Sequence, residues 1–311
     1  MDAKISEFRV HGLCAATFTP LKDDGQLNLD YIGVYCDHLV SQGVMNIFVN
    51  GTTGEGPLLT LDERKLVAEA WVKAGRGKLD KIIIHVGTTN LKDTQCLAQH
   101  AEKIGAHAIS TIPPTFFKPK SVGSLVKYCK DVAGAAPTLP FFYYHIPQIT
   151  GVEFMMLDFL KAAKSEIATL RGIKYSWLDL VDAAHCLRFN DGKYQIMWGR
   201  DEQLLTALVL GIDSAVGSTY NFMPRLYQRM IEAFEKGDIW VAQKEMYRIQ
   251  DAVLALFKHG FAGVGPQKAI CKHIGLNLGP ARSPIETPSD DKMDDIAKDL
   301  SDMGFNEWIE Q

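Results

Sequence analysis

Short β-rich runs alternate with stretches of helical periodicity from residue 13 to residue 217, which confines the chain to α/β architectures built on a parallel sheet. The runs are Leu13–Phe18, Met45–Val49, Lys81–Val86, Ala108–Ile112, Pro140–Tyr144, Leu170–Lys174, Gln195–Trp198 and Ser214–Gly217. Amphipathic patterns such as Asp30–Ser41 lie between them, and Thr60-Leu-Asp-Glu63 is a capping-box sequence that predicts a helix starting near Leu61. Apolar residues stand side by side in Ile82-Ile83-Ile84 and in Phe141-Phe142-Tyr143-Tyr144, as strands covered by helices on both faces require. An open doubly wound sheet would carry a G-x-G-x-x-G turn after an early strand, and none occurs there. About eight βα units close most naturally into a (β/α)8 TIM barrel, a fold of typically ~250 residues. After Asn221 the pattern becomes wholly helical, with Trp240–His259 and the charged stretch Asp290–Gln311 as its main segments. The expected organisation is a barrel over residues 1–222, then the last barrel helix and a C-terminal helical extension over 223–311, with no low-complexity linker between them.

Composition narrows the function. With 311 residues, 47% of them hydrophobic, the chain can bury one large core. A formal charge of -4 gives no positive field for a nucleic-acid backbone. The start lacks the apolar region of a signal peptide and no stretch approaches the ~18 apolar residues of a membrane span, so a soluble cytoplasmic protein is expected, with no membrane partner. Six scattered cysteines without a C-x-x-C pair fit reduced thiols. Nine histidines show no H-x-x-x-H or H-E-x-x-H spacing, so no metal is implied.

In a parallel barrel the chemistry sits where strands end, so polar residues closing apolar runs are the candidates. Gly51-Thr52-Thr53-Gly54-Glu55-Gly56 follows Ile47-Phe48-Val49; its glycines let amides point inward and its threonines add donors, which suits a carboxylate, although the same residues also make a plain tight turn. The loop lacks the Gly-Lys-Ser/Thr ending of a nucleotide P-loop. Lys174 ends Leu170-Arg-Gly-Ile-Lys and is either a nucleophile or a strand-end lysine that snorkels to solvent. Tyr144, in Tyr143-Tyr144-His145-Ile146-Pro147, either handles a proton or fills core. Trp198-Gly199-Arg200-Asp201-Glu202 and Gly217-Ser218-Thr219-Tyr220-Asn221 bring carboxylates and hydroxyls suited to a polyhydroxylated ligand; the two acids could equally serve a helix N-terminus.

Taken in order, G-T-T-G-E at 51–55, Y-Y-H-I-P at 143–147, G-I-K at 172–174, G-R-D-E at 199–202 and G-S-T-Y-N at 217–221 resemble the N-acetylneuraminate lyase and dihydrodipicolinate synthase superfamily. Each motif falls at a predicted strand end, and together they span most of the chain. The resemblance implies that Thr52 and Thr53 hold the carboxylate of pyruvate, that Lys174 forms a Schiff base, that Tyr144 relays protons, that no cofactor is needed and that the protein is a homotetramer. Dihydrodipicolinate synthases read P-x-R-T-G where this chain has Pro147-Gln148-Ile149-Thr150-Gly151, and an aliphatic side chain cannot grip a second carboxylate. Phe116 and Phe117 also stand where the synthases offer a relay tyrosine. The sialic-acid branch is the closer likeness. It implies sugar-binding roles for Ser176, Gly199, Asp201, Glu202 and Ser218, and reversible class I aldol cleavage of N-acetylneuraminic acid to N-acetylmannosamine and pyruvate. His145 replaces an asparagine common in bacterial relatives, and Arg200 adds a cation to the sugar-binding loop. The alternatives are another pyruvate-dependent sugar-acid aldolase, a dihydrodipicolinate synthase-like enzyme, or a non-catalytic metabolite-binding barrel. A silent barrel should lack the lysine or the tyrosine, and both are present.

Overall fold

A computed structural model describes residues 3–258 and 263–310. Eight parallel strands close in sequence order into a barrel: β1 Gly12–Ala16, β2 Asn46–Val49, β3 Lys81–His85, β4 Ala108–Thr111, β5 Phe141–His145, β6 Leu170–Tyr175, β7 Gln195–Trp198 and β8 Ser214–Gly217. This is the expected (β/α)8 barrel. Strands β5 and β6 each run one residue beyond the predicted end, to His145 and Tyr175.

The apolar runs are explained by two cores with opposite faces of each strand in them. Cys14, Ala16, Phe48, Ile83, Phe142, Tyr144, Met197 and Val216 fill the barrel interior. Their neighbours, among them Ala15, Ile47, Ile84, Tyr143, Ile173 and Trp198, pack outward against the helical ring. A two-residue period thus serves both cores, which is why the sequence reads as continuously apolar. The bottom of the barrel is stoppered by the segment before β1. The Val10 N–H donates to Gln195 Oε1 at 2.9 Å, Gln195 Nε2 donates back to the Val10 carbonyl at 2.6 Å, and the Phe8 ring meets Phe142 edge-on at 5.8 Å.

The helix Leu61–Gly75 begins with the predicted capping box: the Glu63 N–H donates to Thr60 Oγ1, and the Thr60 N–H donates to Glu63 Oε2. Arg64, on the same helix, is buried and donates to the carbonyls of His85 (2.6 Å) and Gly87 (2.8 Å), fixing the C-terminal end of β3; burial lowers its pKa to about 10. Beyond β8 come helices Pro224–Glu235, Ile239–Lys258, Val264–His273, Asp290–Asp302 and Phe305–Glu310. The predicted helix end at His259 and the terminal Gln311 lie outside the described residues. Among the described residues no helix is long and apolar enough to cross a membrane.

Candidate active site

A cavity of about 630 Å³ opens at the C-terminal mouth of the barrel. Thr52, Thr53, Tyr144, Lys174, Ser176, Gly199, Asp201, Glu202 and Ser218 all line it, so the residues proposed from five separate motifs meet in one place. The fold produces this convergence because every motif follows a strand of the same parallel barrel.

Lys174 and Tyr144 are register partners on β6 and β5, both facing inward. The Lys174 side chain is buried, and its Nζ lies 4.1 Å from the ring centroid of Tyr144 and 4.2 Å from that of Phe48. No carboxylate of the described residues forms an ion pair with this amine, which is held between aromatic faces. Tyr144 Oη stands 3.4 Å from Thr52 Oγ1, linking the phenol to the loop after β2. His85 meets the Tyr144 ring edge-on at 5.8 Å; burial, with the charges of Arg64 and Lys174 acting in the same direction, pushes its imidazole pKa well below the usual value and keeps it neutral. Cys14, inside the same barrel, is held as a thiol, its pKa pushed up to about 12 by burial against the opposing charge of Lys174.

The loop carrying Thr52 and Thr53 is folded tightly. Asn50 and Glu55 adopt left-handed conformations with φ of 61° and 56°, and a side chain on Gly56 would collide with the Asn50 carbonyl. Glu55, read in the sequence only as part of a motif, is the anchor of this loop. Its Oε1 pairs with Lys268 Nζ at 2.7 Å with both side chains fully buried, and its Oε2 accepts the Arg282 N–H at 2.6 Å. The Arg282 guanidinium then clasps Glu63 through two bonds, at 2.7 and 2.8 Å, and caps the carbonyls of Leu58 and Gly25. The helical extension therefore holds the threonine loop in place.

On the opposite side, Asp201 Oδ2 accepts from the Thr219 N–H (3.0 Å) and hydroxyl (2.6 Å), and Thr219 Oγ1 lies 2.8 Å from Tyr227 Oη. Burial raises the Asp201 pKa, opposed by the bonds from Thr219. The carboxylate rests over Gly217, where any β-carbon would overlap it. The Ser176 hydroxyl donates to the Gly199 carbonyl at 3.1 Å. Arg200 does not stand free in the cavity: it donates to Glu202 Oε1 at 2.9 Å and to Gln148 Oε1 at 3.0 Å. The remaining wall was missed by motif reading. It comes from the extension, with Gln250, Leu254 and Phe257 of one helix and Val264, Pro266 and Gln267 of the next. Ile149, where the synthases carry arginine, is 60% exposed and does not line the cavity. Phe116 and Phe117 also lie outside the lining, exposed on the loop after β4. Among the described residues no cluster of histidine, cysteine and acidic side chains is arranged to hold a metal ion.

Residues 9–303 match the model of the dihydrodipicolinate synthetase family. An N-acetylneuraminate lyase of Rattus norvegicus is 44% identical over 300 residues, covering 96% of this chain and 93% of the relative. That of Homo sapiens is 45% identical with the same coverage of both chains, 96% and 93%. The solved Proteus mirabilis N-acetylneuraminate lyase is 38% identical and superposes with a TM-score of 0.92, covering 96% of this chain and 100% of that one.

Proposed function

The chain belongs to the dihydrodipicolinate synthetase family, and from that premise and the site's geometry we infer that it is a carbon–carbon lyase that cleaves N-acetylneuraminate to N-acetylmannosamine and pyruvate. The observation that carries the reading is the buried Lys174 amine between the Phe48 and Tyr144 rings, with the Tyr144 phenol beside Thr52. In the proposed mechanism, the Lys174 amine adds to the ketone carbon of the open-chain sugar acid and water leaves, giving a protonated imine. Thr52 and Thr53 receive the neighbouring carboxylate. Tyr144 takes the proton from the sugar hydroxyl as the adjacent carbon–carbon bond breaks, and the bonding pair moves into the imine as an enamine. N-acetylmannosamine departs, the enamine carbon takes up a proton, and water releases pyruvate from Lys174. The enamine avoids an unstabilised carbanion, so the residues complete the reaction without a cofactor.

The rim suits a polyol. Asp201, Glu202, Ser176 and Ser218, with the backbone at Gly199, surround the mouth where the hydroxyl tail would lie. A second carboxylate finds no arginine at position 149, which favours the sugar over the acceptor of a synthase. A homotetramer is part of the same proposal. The paired, exposed rings of Phe116 and Phe117, and an exposed row of Trp240, Tyr247 and Leu254 along Ile239–Lys258, support association. The free cysteines fit a cytoplasmic setting.

The test is to incubate the protein with pyruvate and N-acetylmannosamine and follow product by mass spectrometry, then trap with borohydride and map the adduct. Product and a reduced pyruvyl group on Lys174 are expected. Preference for aspartate semialdehyde would refute the substrate, and labelling at another residue would refute the mechanism.

A further inference from the structure

Besides Lys174, the cavity lining among the described residues contains one other cation, Arg200, on the loop after β7. Its guanidinium joins two loops. One terminal nitrogen donates to Gln148 Oε1 of the β5 loop at 3.0 Å, and the other donates to Glu202 Oε1 at 2.9 Å. The third nitrogen, Nε, is buried and has no partner among the described residues. Glu202 is gripped at its other end as well, since Gln250 Nε2 donates to the Glu202 carbonyl at 3.0 Å.

Two features separate this arrangement from a simple surface ion pair. Arg200 and Glu202 are partly buried, with 24% and 33% side-chain exposure, and the same guanidinium also reaches Gln148 on a second loop. The contact is also single-point. A guanidinium that met the carboxylate with two parallel bonds would occupy both oxygens; here Oε2 has no donor among the described residues and is left to accept from a ligand. Gln148 and Glu202 both line the cavity, so the bridge spans its rim from one strand-end loop to the other.

We propose that Arg200 is the positioning residue that selects the aldehyde half of the substrate, tying the β5 and β7 loops together and aiming the free oxygen of Glu202 at the hydroxyl-rich tail. The inference rests on the lyase reading above and adds a residue that none of its chemical steps uses.

The experiment measures condensation kinetics for Arg200→Met and Arg200→Lys against the parent, with pyruvate and N-acetylmannosamine varied separately. For Arg200→Met, KM for N-acetylmannosamine should rise about tenfold or more, the effect of losing a hydrogen bond to a charged group. KM for pyruvate and borohydride trapping at Lys174 should stay within about twofold of the parent, since a loop-tethering role leaves the pyruvate end untouched. Arg200→Lys should recover part of the loss, because an ammonium can still meet Glu202 but cannot bridge to Gln148. An unchanged KM for the sugar, or a rise shared equally by pyruvate, overturns the proposal. A parent protein that traps pyruvate yet makes nothing from N-acetylmannosamine overturns the substrate reading instead, and this inference falls with it.

Discussion

Lys268→Met isolates what the helical extension does for the threonine loop. The substitution keeps most of the side chain's length but deletes the ammonium that sits 2.7 Å from Glu55 Oε1, in a pair with no solvent exposure on either side. Glu55 retains the Arg282 N–H at 2.6 Å, so the carboxylate is left with one donor and only the more distant Arg282 guanidinium, already bonded to Glu63, to offset its charge. Stranding a buried charge in this way costs about 3–5 kcal/mol. With an unfolding entropy of roughly 2.1 cal/mol/K per residue, a chain of this size should lose about 5–8 °C in Tm. Glu55→Gln made in the same background removes the stranded charge and should recover more than half of the loss, because a neutral pair carries a much smaller desolvation penalty. Differential scanning calorimetry of the parent, both single variants and the double variant completes the cycle. Pyruvate KM should rise in Lys268→Met, since the loop bearing Thr52 and Thr53 loses its anchor. A Lys268→Met protein melting within about 1 °C of the parent, or a double variant as unstable as the two single losses added together, would refute the argument.

Tyr144→Phe keeps the ring that flanks Lys174 but removes the phenol, and should cut turnover about 10²- to 10⁴-fold while leaving pyruvate trappable at Lys174; parental turnover would return Tyr144 to a packing role. Gly217→Ala drives a methyl into the Asp201 carboxylate, which Thr219 prevents from moving freely, so the sugar KM should rise with trapping intact, and equal damage to both would show a wider collapse. His145 is buried, neither ring nitrogen has a partner among the described residues, and burial lowers its pKa from 6.5 to about 3. The unfolded chain therefore takes up the proton first, so the stability linked to His145 is complete above about pH 6.5 and is lost as the pH falls toward about 3. In His145→Phe, unfolding free energy should depend less steeply on pH across that window, and an unchanged slope in denaturant titrations would sink the assignment.

Much of this was legible in the sequence because it is local. Strand after strand ends in a polar residue, and a closed parallel barrel turns those endings into neighbours, so Lys174, Tyr144 and Asp201 could be named as candidates before any coordinates, with the family resemblance supplying their expected roles. The two-residue alternation of the strands was masked, because both faces are apolar and only the closed barrel separates Ile83 inside from Ile82 and Ile84 outside. What stayed hidden depends on partners distant in the chain. Nothing near Glu55 announces that Lys268 and Arg282 will reach it, since one comes from the helix Val264–His273 and the other from the loop after it, and no periodicity encodes where either is placed. Arg200 read as an extra cation for a ligand; its charge is shared with Glu202 and Gln148, a pairing set by the way two loops face one another. Phe48, read as one more apolar strand residue, proved to be one of the two rings beside the lysine.

The stopper at the barrel's base has a consequence for the order of events. Phe8, Val10 and Gln195 close the lower end, so whatever enters the pocket must leave by the same doorway. In the proposed reaction pyruvate, tethered to Lys174 between the rings of Phe48 and Tyr144, would occupy the depth of that passage, and the sugar its entrance at Arg200 and Glu202. On that reading traffic is single file: the sugar would depart before pyruvate is freed, and in the reverse direction pyruvate would arrive first. A plug at one end of the barrel would thus impose a sequence on binding and release at the other.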